Sequence, residues 1–125
     1  MNKLKALILI VEDDYRTIKL LRDYLLATGY RVIVAGDGRS AIELAIQHKP
    51  ALITMDLQLS GMNGLDATRA LKANPVTRKI PIVALTAAAM KGQDEIVTEA
   101  GCSRFISKPF SLDSVEKAIE ELLHQ

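Results

Sequence analysis

The chain has 125 residues, 49% of them hydrophobic, and its sixteen Lys and Arg nearly balance fifteen Asp and Glu. A formal net charge of +1 gives no long-range pull toward nucleic acid or an anionic membrane. No apolar run approaches the roughly 20 residues of a membrane span, and the length fits one domain with a sizeable core.

The first five residues are followed by only six apolar residues and then three acids. That is too short, and too acidic behind, for a secretory signal. Cys102 has no second cysteine to pair with, which suits a reducing compartment and reads as a small buried hydrophobe. A cytoplasmic protein is the expectation.

Residues 6–11 are apolar throughout, with β-branched members, as in a parallel strand buried on both faces. Asp14 is placed to cap a following helix and to set negative charge at its positive end. Ile18, Leu21, Leu25 and Leu26 recur at helical spacing, and Gly29 stands where a helix ends. Residues 31–35 predict a second strand. Asp37-Gly38 then turns into a helix with Ala41, Leu44, Ala45 and His48 on one face, stopped by Pro50. Residues 51–55 predict the third strand, with Asp56 where it surfaces. A loop over 57–63 leads to a helix at about 64–73, with Leu65, Thr68 and Leu71 inward, ended by Pro75. Residues 80–85 predict the fourth strand, with Pro81 tolerated near its start. A helix at about 90–99 ends at Gly101. Residues 103–107 predict a short fifth strand. Ser111 caps a last helix striped by Leu112, Val115, Ile119 and Leu122.

Five strands alternating with five helices predict an α/β fold with a doubly wound parallel sheet. The common five-stranded order is 2-1-3-4-5, flavodoxin-like, and ligands then bind beyond the carboxyl ends of strands 1 and 3. Residues 1–125 are read as one domain, with no length left for an output domain.

The strand ends deliver Glu12 and Asp13, Asp56, Thr86 and Lys108 to one rim. Three carboxylates together repel, and a hard divalent cation relieves the repulsion. Mg²⁺ is the expected ion, with Mn²⁺ as a substitute. Asp13 and Asp56 are assigned as direct ligands and the Gln58 backbone carbonyl as a third. Glu12 acts through a metal-bound water. Lys108 pairs with Asp56 and later with a phosphoryl oxygen, and Thr86 donates a hydrogen bond to it. The Ala87 backbone joins these two as a phosphoryl contact. A nucleophile, a metal clamp and a cation are the parts of in-line phosphoryl transfer to a carboxylate.

At these residues the chain resembles the response-regulator receiver domains of two-component signalling. Residues 8–14, Ile-Leu-Ile-Val-Glu-Asp-Asp, resemble the family's acidic-pair motif. The run from Met55 to Gly64 resembles its phosphoacceptor segment. Leu85-Thr86-Ala87 resembles its switch-hydroxyl segment, and Ser107-Lys108-Pro109-Phe110 its lysine–proline motif. The resemblance implies phosphorylation of Asp56 by a partner phosphohistidine, on a histidine kinase or a histidine phosphotransfer protein. It implies a cis Lys108–Pro109 bond and makes Phe105 the aromatic whose orientation tracks activation. Thr86 then moves toward the phosphoryl group, Phe105 turns inward, and the face of helix 4, strand 5 and helix 5 changes for a downstream protein target. Phe105 has no hydroxyl to hold it in solvent. The protein acts as a monomer or weak dimer, with no direct nucleic-acid or membrane contact. Residues 88–92 and 100–109 are most similar to stand-alone receivers of the cell-cycle polarity type and to receiver modules of hybrid histidine kinases.

Some residues depart from the family pattern. Ser60 stands where the family usually has proline, which predicts a looser loop after Asp56. Gln58 and Ala88 occupy positions that set the lifetime of the phosphoryl group, and intermediate-to-slow self-dephosphorylation is expected. Rival readings fare less well. A haloacid-dehalogenase-type phosphatase would need a second Asp where Gln58 stands. A flavin or nucleotide module would place its phosphate against Glu12-Asp13-Asp14, which would repel it. A scaffold without phosphorylation has no use for a complete set of site residues. Taken singly, the acids read as a solvated cap, Thr86 as a strand-end residue, Lys108 as a surface lysine and Phe105 as core. Their joint placement reverses that. His48 and His124 are given no role.

Overall fold

In the computed structural model, which describes residues 6–87 and 93–124, five strands alternate with five helices. In chain order they are β1 (Leu7–Val11), α1 (Tyr15–Ala27), β2 (Arg31–Ala35), α2 (Gly38–His48), β3 (Leu52–Asp56), α3 (Gly64–Ala73), β4 (Ile82–Thr86), α4 (Gln93–Ala100), β5 (Arg104–Ser107) and α5 (Leu112–Leu123). The strands form one parallel sheet in the order β2-β1-β3-β4-β5. This is the expected flavodoxin-like order.

Side chains alternate across a strand, and the sheet uses both faces. Leu9, Val11, Ile53, Met55, Ile82 and Ala84 face α2, α3 and α4, where Ala41, Ala45, Ala67, Leu71 and Val97 meet them. Ile8, Ile10, Leu52, Val83 and Leu85 face α1 and α5, where Leu21, Leu25, Val115, Ala118 and Ile119 meet them. Both faces are covered, so β1, β3 and β4 read as apolar runs rather than alternating ones. Each large aliphatic side chain buried this way contributes about 1.5–3 kcal/mol.

Side-chain caps start four of the helices. Asp14 accepts from the Thr17 amide, Asp37 from Ser40, Asn63 from Asp66 and Ser111 from Ser114. Two hydrogen bonds from Thr17, one from its hydroxyl and one from its amide, lower the Asp14 pKa. Gly29 has φ +104° at the end of α1, a conformation that costs glycine nothing.

Some expected boundaries and faces shift. β4 begins at Ile82, because Pro81 offers only its carbonyl to the ladder, accepting from the Ile53 amide at 3.0 Å. β3 and β4 each run one residue further, to Asp56 and Thr86. Leu26 is 50% exposed; one residue past Leu25 it lies about 100° round the helix from the Leu21–Leu25 stripe, whereas Tyr24 packs against the core on the stripe's other side. His48 is exposed at the last turn of α2. The expected start of the fourth helix and Ala88 lie outside the described residues. Among the described residues, no helix is long and apolar enough to cross a membrane.

Candidate functional site

Parallel pairing in near-even register brings the carboxyl ends of the strands to one edge. Val11 stands opposite Met55, Asp56 opposite Leu85, and Thr86 opposite Ser107. The next residue of each strand, or its last, is therefore delivered to a common rim: Glu12, Asp56, Thr86 and Lys108. Backbone bonds carry the alignment past the strand ends. The Glu12 amide donates to Ala35, Leu57 to Leu85 and Lys108 to Thr86.

One carboxylate oxygen from each of Glu12, Asp13 and Asp56 lies within 4.8 Å of the others. Glu12 is 1% and Asp56 2% exposed, whereas Asp13 is exposed. Lys108 Nζ stands 3.2 Å from Glu12 Oε1 and 3.5 Å from Asp56 Oδ1. With all three acids ionised, one ammonium leaves two negative charges uncompensated, and at buried Glu12 and Asp56 water screens poorly. Burial first, and then a hydrogen bond and repulsion from Asp56, push the Glu12 pKa up to about 7. Burial works against the charge on Lys108, but Glu12 and Asp56 outweigh it and raise the Lys108 pKa. A hard, doubly charged cation with oxygen ligands matches this donor set in charge and chemistry, so the residues present fit Mg²⁺.

Each acid is held differently. Glu12 uses both oxygens: Oε1 accepts from Lys108, and Oε2 accepts from the Asp14 amide at 3.1 Å. Asp56 Oδ1 accepts from the Gln58 amide at 3.0 Å. Asp13 Oδ2 accepts from both the amide and the hydroxyl of Ser60, each at 3.0 Å. Local sequence does not show the last pair, since there Ser60 is only a missing proline. The serine exchanges a stiff ring for two hydrogen bonds that proline cannot make. The signal for it is a donor-rich residue in the loop facing the acid pair.

The loop over 57–63 is closed by Gly64. Its amide donates to the Leu57 carbonyl at 3.2 Å. A Cβ there would overlap the Asp56 carbonyl oxygen and come within 2.6 Å of Leu57 Cα, so the close approach requires glycine. Leu57 and Leu59 are buried beneath the loop.

Thr86 is fully buried at the end of β4, and Ala87 follows it, exposed. The Lys108–Pro109 peptide is cis. Phe105 is partly buried against the α2–α3–α4 side of the core, paired in register with Ala84. Cys102 is buried, and burial raises its thiol pKa. His48 and His124 are exposed, at the ends of α2 and α5. Two residues past Asp13, Tyr15 begins an open groove of about 510 Å³ lined also by Leu20, Tyr24 and Leu112.

A doubly wound sheet with an acid triad and a lysine at its switch point defines a receiver-type phosphoacceptor domain. The chain belongs to the response regulator receiver domain family, whose model matches residues 8–120. It is 42% identical over 116 residues to the polar-differentiation response regulator DivK of Brucella anthropi, an alignment covering 93% of this chain and 94% of that protein. It superposes with TM-score 0.89 on the receiver domain of a sensor histidine kinase from Pseudomonas aeruginosa PAO1, at 31% identity, covering 97% of this chain and 99% of that one. That structure has a magnesium ion coordinated in its active-site cleft. A signal receiver domain of a histidine kinase from Syntrophus aciditrophicus gives TM-score 0.88 at 31% identity, covering 95% and 90%. The protein is thus a receiver domain of two-component signalling, and its acid pocket is consistent with Mg²⁺ and a phosphoacceptor aspartate.

Proposed function

We propose that Asp56 accepts the phosphoryl group, with Asp13 and Asp56 as metal ligands and Glu12 acting through a metal-bound water. The single observation that carries this reading is the burial of Asp56 beside Lys108, 3.5 Å away, within a three-carboxylate cluster. Glu12 has both oxygens engaged by protein donors, which supports a water-mediated role. The Gln58 carbonyl is the third protein ligand in this reading, supported by the Gln58 amide bond that holds this residue against Asp56. Mn²⁺ substitutes for Mg²⁺. When bound, the cation offsets the excess negative charge and orients phosphoryl oxygens.

The chain's own residues do the rest. In transfer from a phosphohistidine, the N–P bond breaks as an O–P bond to Asp56 forms, and the neutral imidazole leaves with the partner. Lys108, released from full pairing with Glu12, follows the charge onto a phosphoryl oxygen. The Thr86 hydroxyl and the Ala87 amide are the remaining contacts. Phe105 packs inward as Thr86 moves, and the face of α4, β5 and α5 changes for a downstream protein target. This is a population shift, driven only by the better fit of the phosphoryl group to one state.

The donor is a histidine kinase or a histidine phosphotransfer protein, and the protein works in the cytoplasm as a monomer or weak dimer. Residues 1–125 are read as one receiver unit; near-complete alignment with DivK supports this. The apolar groove starting at Tyr15 offers a surface for such contacts. Gln58 and Ala88 leave the acyl phosphate poorly hydrolysed, so self-dephosphorylation is intermediate to slow.

Incubation with acetyl phosphate and Mg²⁺, followed by intact mass, tests the site. One added phosphoryl group is expected, absent in Asp56→Asn and without metal. Persistence in Asp56→Asn overturns the assignment. Loss of the phosphoryl group within seconds overturns the slow lifetime.

A further inference from the structure

We propose that Ser60 is a positioning residue that fixes the Asp13 carboxylate for cation binding, an inference that rests on the reading of Asp13 as a metal ligand. Three observations support it. First, both Ser60 donors converge on one atom: the amide and the hydroxyl each reach Asp13 Oδ2 at 3.0 Å. Oδ2 thus accepts two bonds from the protein, and Oδ1 is the oxygen that this reading assigns to the cation. Second, Asp13 is the one acid of the three that is exposed. Glu12 and Asp56 are locked by burial and by Lys108. An exposed carboxylate samples several rotamers, and ordering it at the moment of binding weakens affinity. The Ser60 bonds order it beforehand.

Third, Ser60 is itself held. The loop that carries it is pinned at Leu57 by the Gly64 amide. Leu57 and Leu59 anchor it from beneath, and Met62 lies over Gly38 so closely that a Cβ there would meet its Cγ at 3.1 Å. The amide of Ser60 is thus a fixed donor rather than a floppy surface group. It ties residues 47 positions apart and links the loop after Asp56 to the acid pair after β1. A proline, the residue the resemblance places at this position, would supply neither bond.

Groups that hydrogen-bond a ligand carboxylate commonly change metal affinity about 10–100-fold. Asp13 is exposed, so the effect should fall at or below the low end of that range.

The test is a Mg²⁺ titration of the metal-free protein followed by amide NMR, on wild type, Ser60→Ala, Ser60→Pro, Ser60→Thr and Asp13→Asn. The spectra report folding and affinity together, independently of phosphorylation. Ser60→Ala and Ser60→Pro should weaken Mg²⁺ at least threefold, Ser60→Pro the more because it removes both donors. Ser60→Thr keeps both donors and should stay within threefold of wild type. The Ser60 amide proton of wild type should stay downfield as metal is added, because its bond to Asp13 persists in the loaded site. A strong Asp13→Asn loss with Ser60→Ala and Ser60→Pro both within threefold of wild type overturns the Ser60 role alone. Tighter binding in either variant does the same, since the serine would then compete with the ion. Unchanged affinity in Asp13→Asn overturns the ligand reading and this inference with it.

Discussion

Lys108 Nζ and Glu12 Oε1 lie 3.2 Å apart although 96 positions separate them in the chain. The ammonium is the one cation placed against Glu12 and Asp56 among the described residues. Lys108→Met removes it and leaves both acids buried. In EDTA at pH 8 the variant should lose on the order of 1–3 kcal/mol of stability, because an uncompensated buried charge is costly. At pH 5.5 the loss should shrink, since a proton on Glu12 substitutes for the ammonium. Urea unfolding at the two pH values checks this. An equal loss at both would mean that the lysine stabilises through packing of its stem instead.

Glu12 gives the metal-free protein a stability slope of unusual sign. Its carboxyl titrates at about 7 in the folded chain, against 4.5 for the ordinary group. Between those values the folded state holds a proton that the unfolded state has released. Stability therefore falls as pH rises from about 4.5 to about 7 and levels off above, by up to about 3 kcal/mol at 1.36 kcal/mol per unit. Added Mg²⁺ works in the opposite sense, because a cation favours the ionised pocket and stabilises most where the acids have lost their proton. Urea midpoints from pH 5 to 8 in EDTA, repeated for Glu12→Gln, measure the slope. The variant should flatten it; an unchanged slope would place the titrating group elsewhere.

Gly64→Ala should damage both fold and site. The added methyl would overlap the Asp56 carbonyl and sit 2.6 Å from Leu57 Cα, against backbone that cannot rotate aside. The loop must move away from Asp56, at a cost of about 2–3 kcal/mol of the kind that overpacking brings. Gly36→Ala is the control, since nothing lies within 4 Å of its would-be Cβ. Thermal unfolding and phosphorylation by acetyl phosphate should both fall for Gly64→Ala and change little for Gly36→Ala.

The fold was legible because its strands are buried on both faces. Continuous apolar runs over 6–11 and 80–85, punctuated by Gly29, Pro50 and Gly101, leave few alternatives to an alternating α/β chain. The acids and Thr86 stood out as candidates because each lies at or just past the end of such a run, where a polar residue has no packing role; Lys108 follows a more polar strand and stood out by its place at a sibling strand end. Helix faces were harder to read. Leu26 and His48 fit a 3.6-residue period, yet a helix on a sheet buries only a narrow stripe, and both lie beyond it. The Ser60–Asp13 bonds were not legible at all. They depend on how the loop folds back across 47 positions, which no local pattern encodes. Nor does sequence distinguish a threonine that satisfies its hydroxyl from one that does not. Thr68 bonds to the Gly64 carbonyl at 2.8 Å and Thr77 to Leu71 at 2.7 Å, whereas Thr54 is different.

Thr54 is fully buried in β3, between Ile10 and Val83, and its Oγ1 has no hydrogen-bond partner among the described residues. A buried hydroxyl without a partner costs about 1–3 kcal/mol. Thr54→Val keeps the β-branched shape that a strand favours and removes the orphaned oxygen. The variant should be more stable by about 1 kcal/mol, a rise of roughly 3–5 °C in Tm for a domain of this size. Thr54→Ser supplies the contrast: it keeps the hydroxyl and deletes a methyl from the core, so its Tm should fall. Asp56 lies two residues on, on the same face of the strand, so phosphorylation by acetyl phosphate is measured on both variants. Wild-type phosphorylation with a raised Tm in Thr54→Val would mean that the hydroxyl serves neither folding nor transfer. A lowered Tm would mean that the hydroxyl is satisfied in solution, by water reaching it from the acid pocket above.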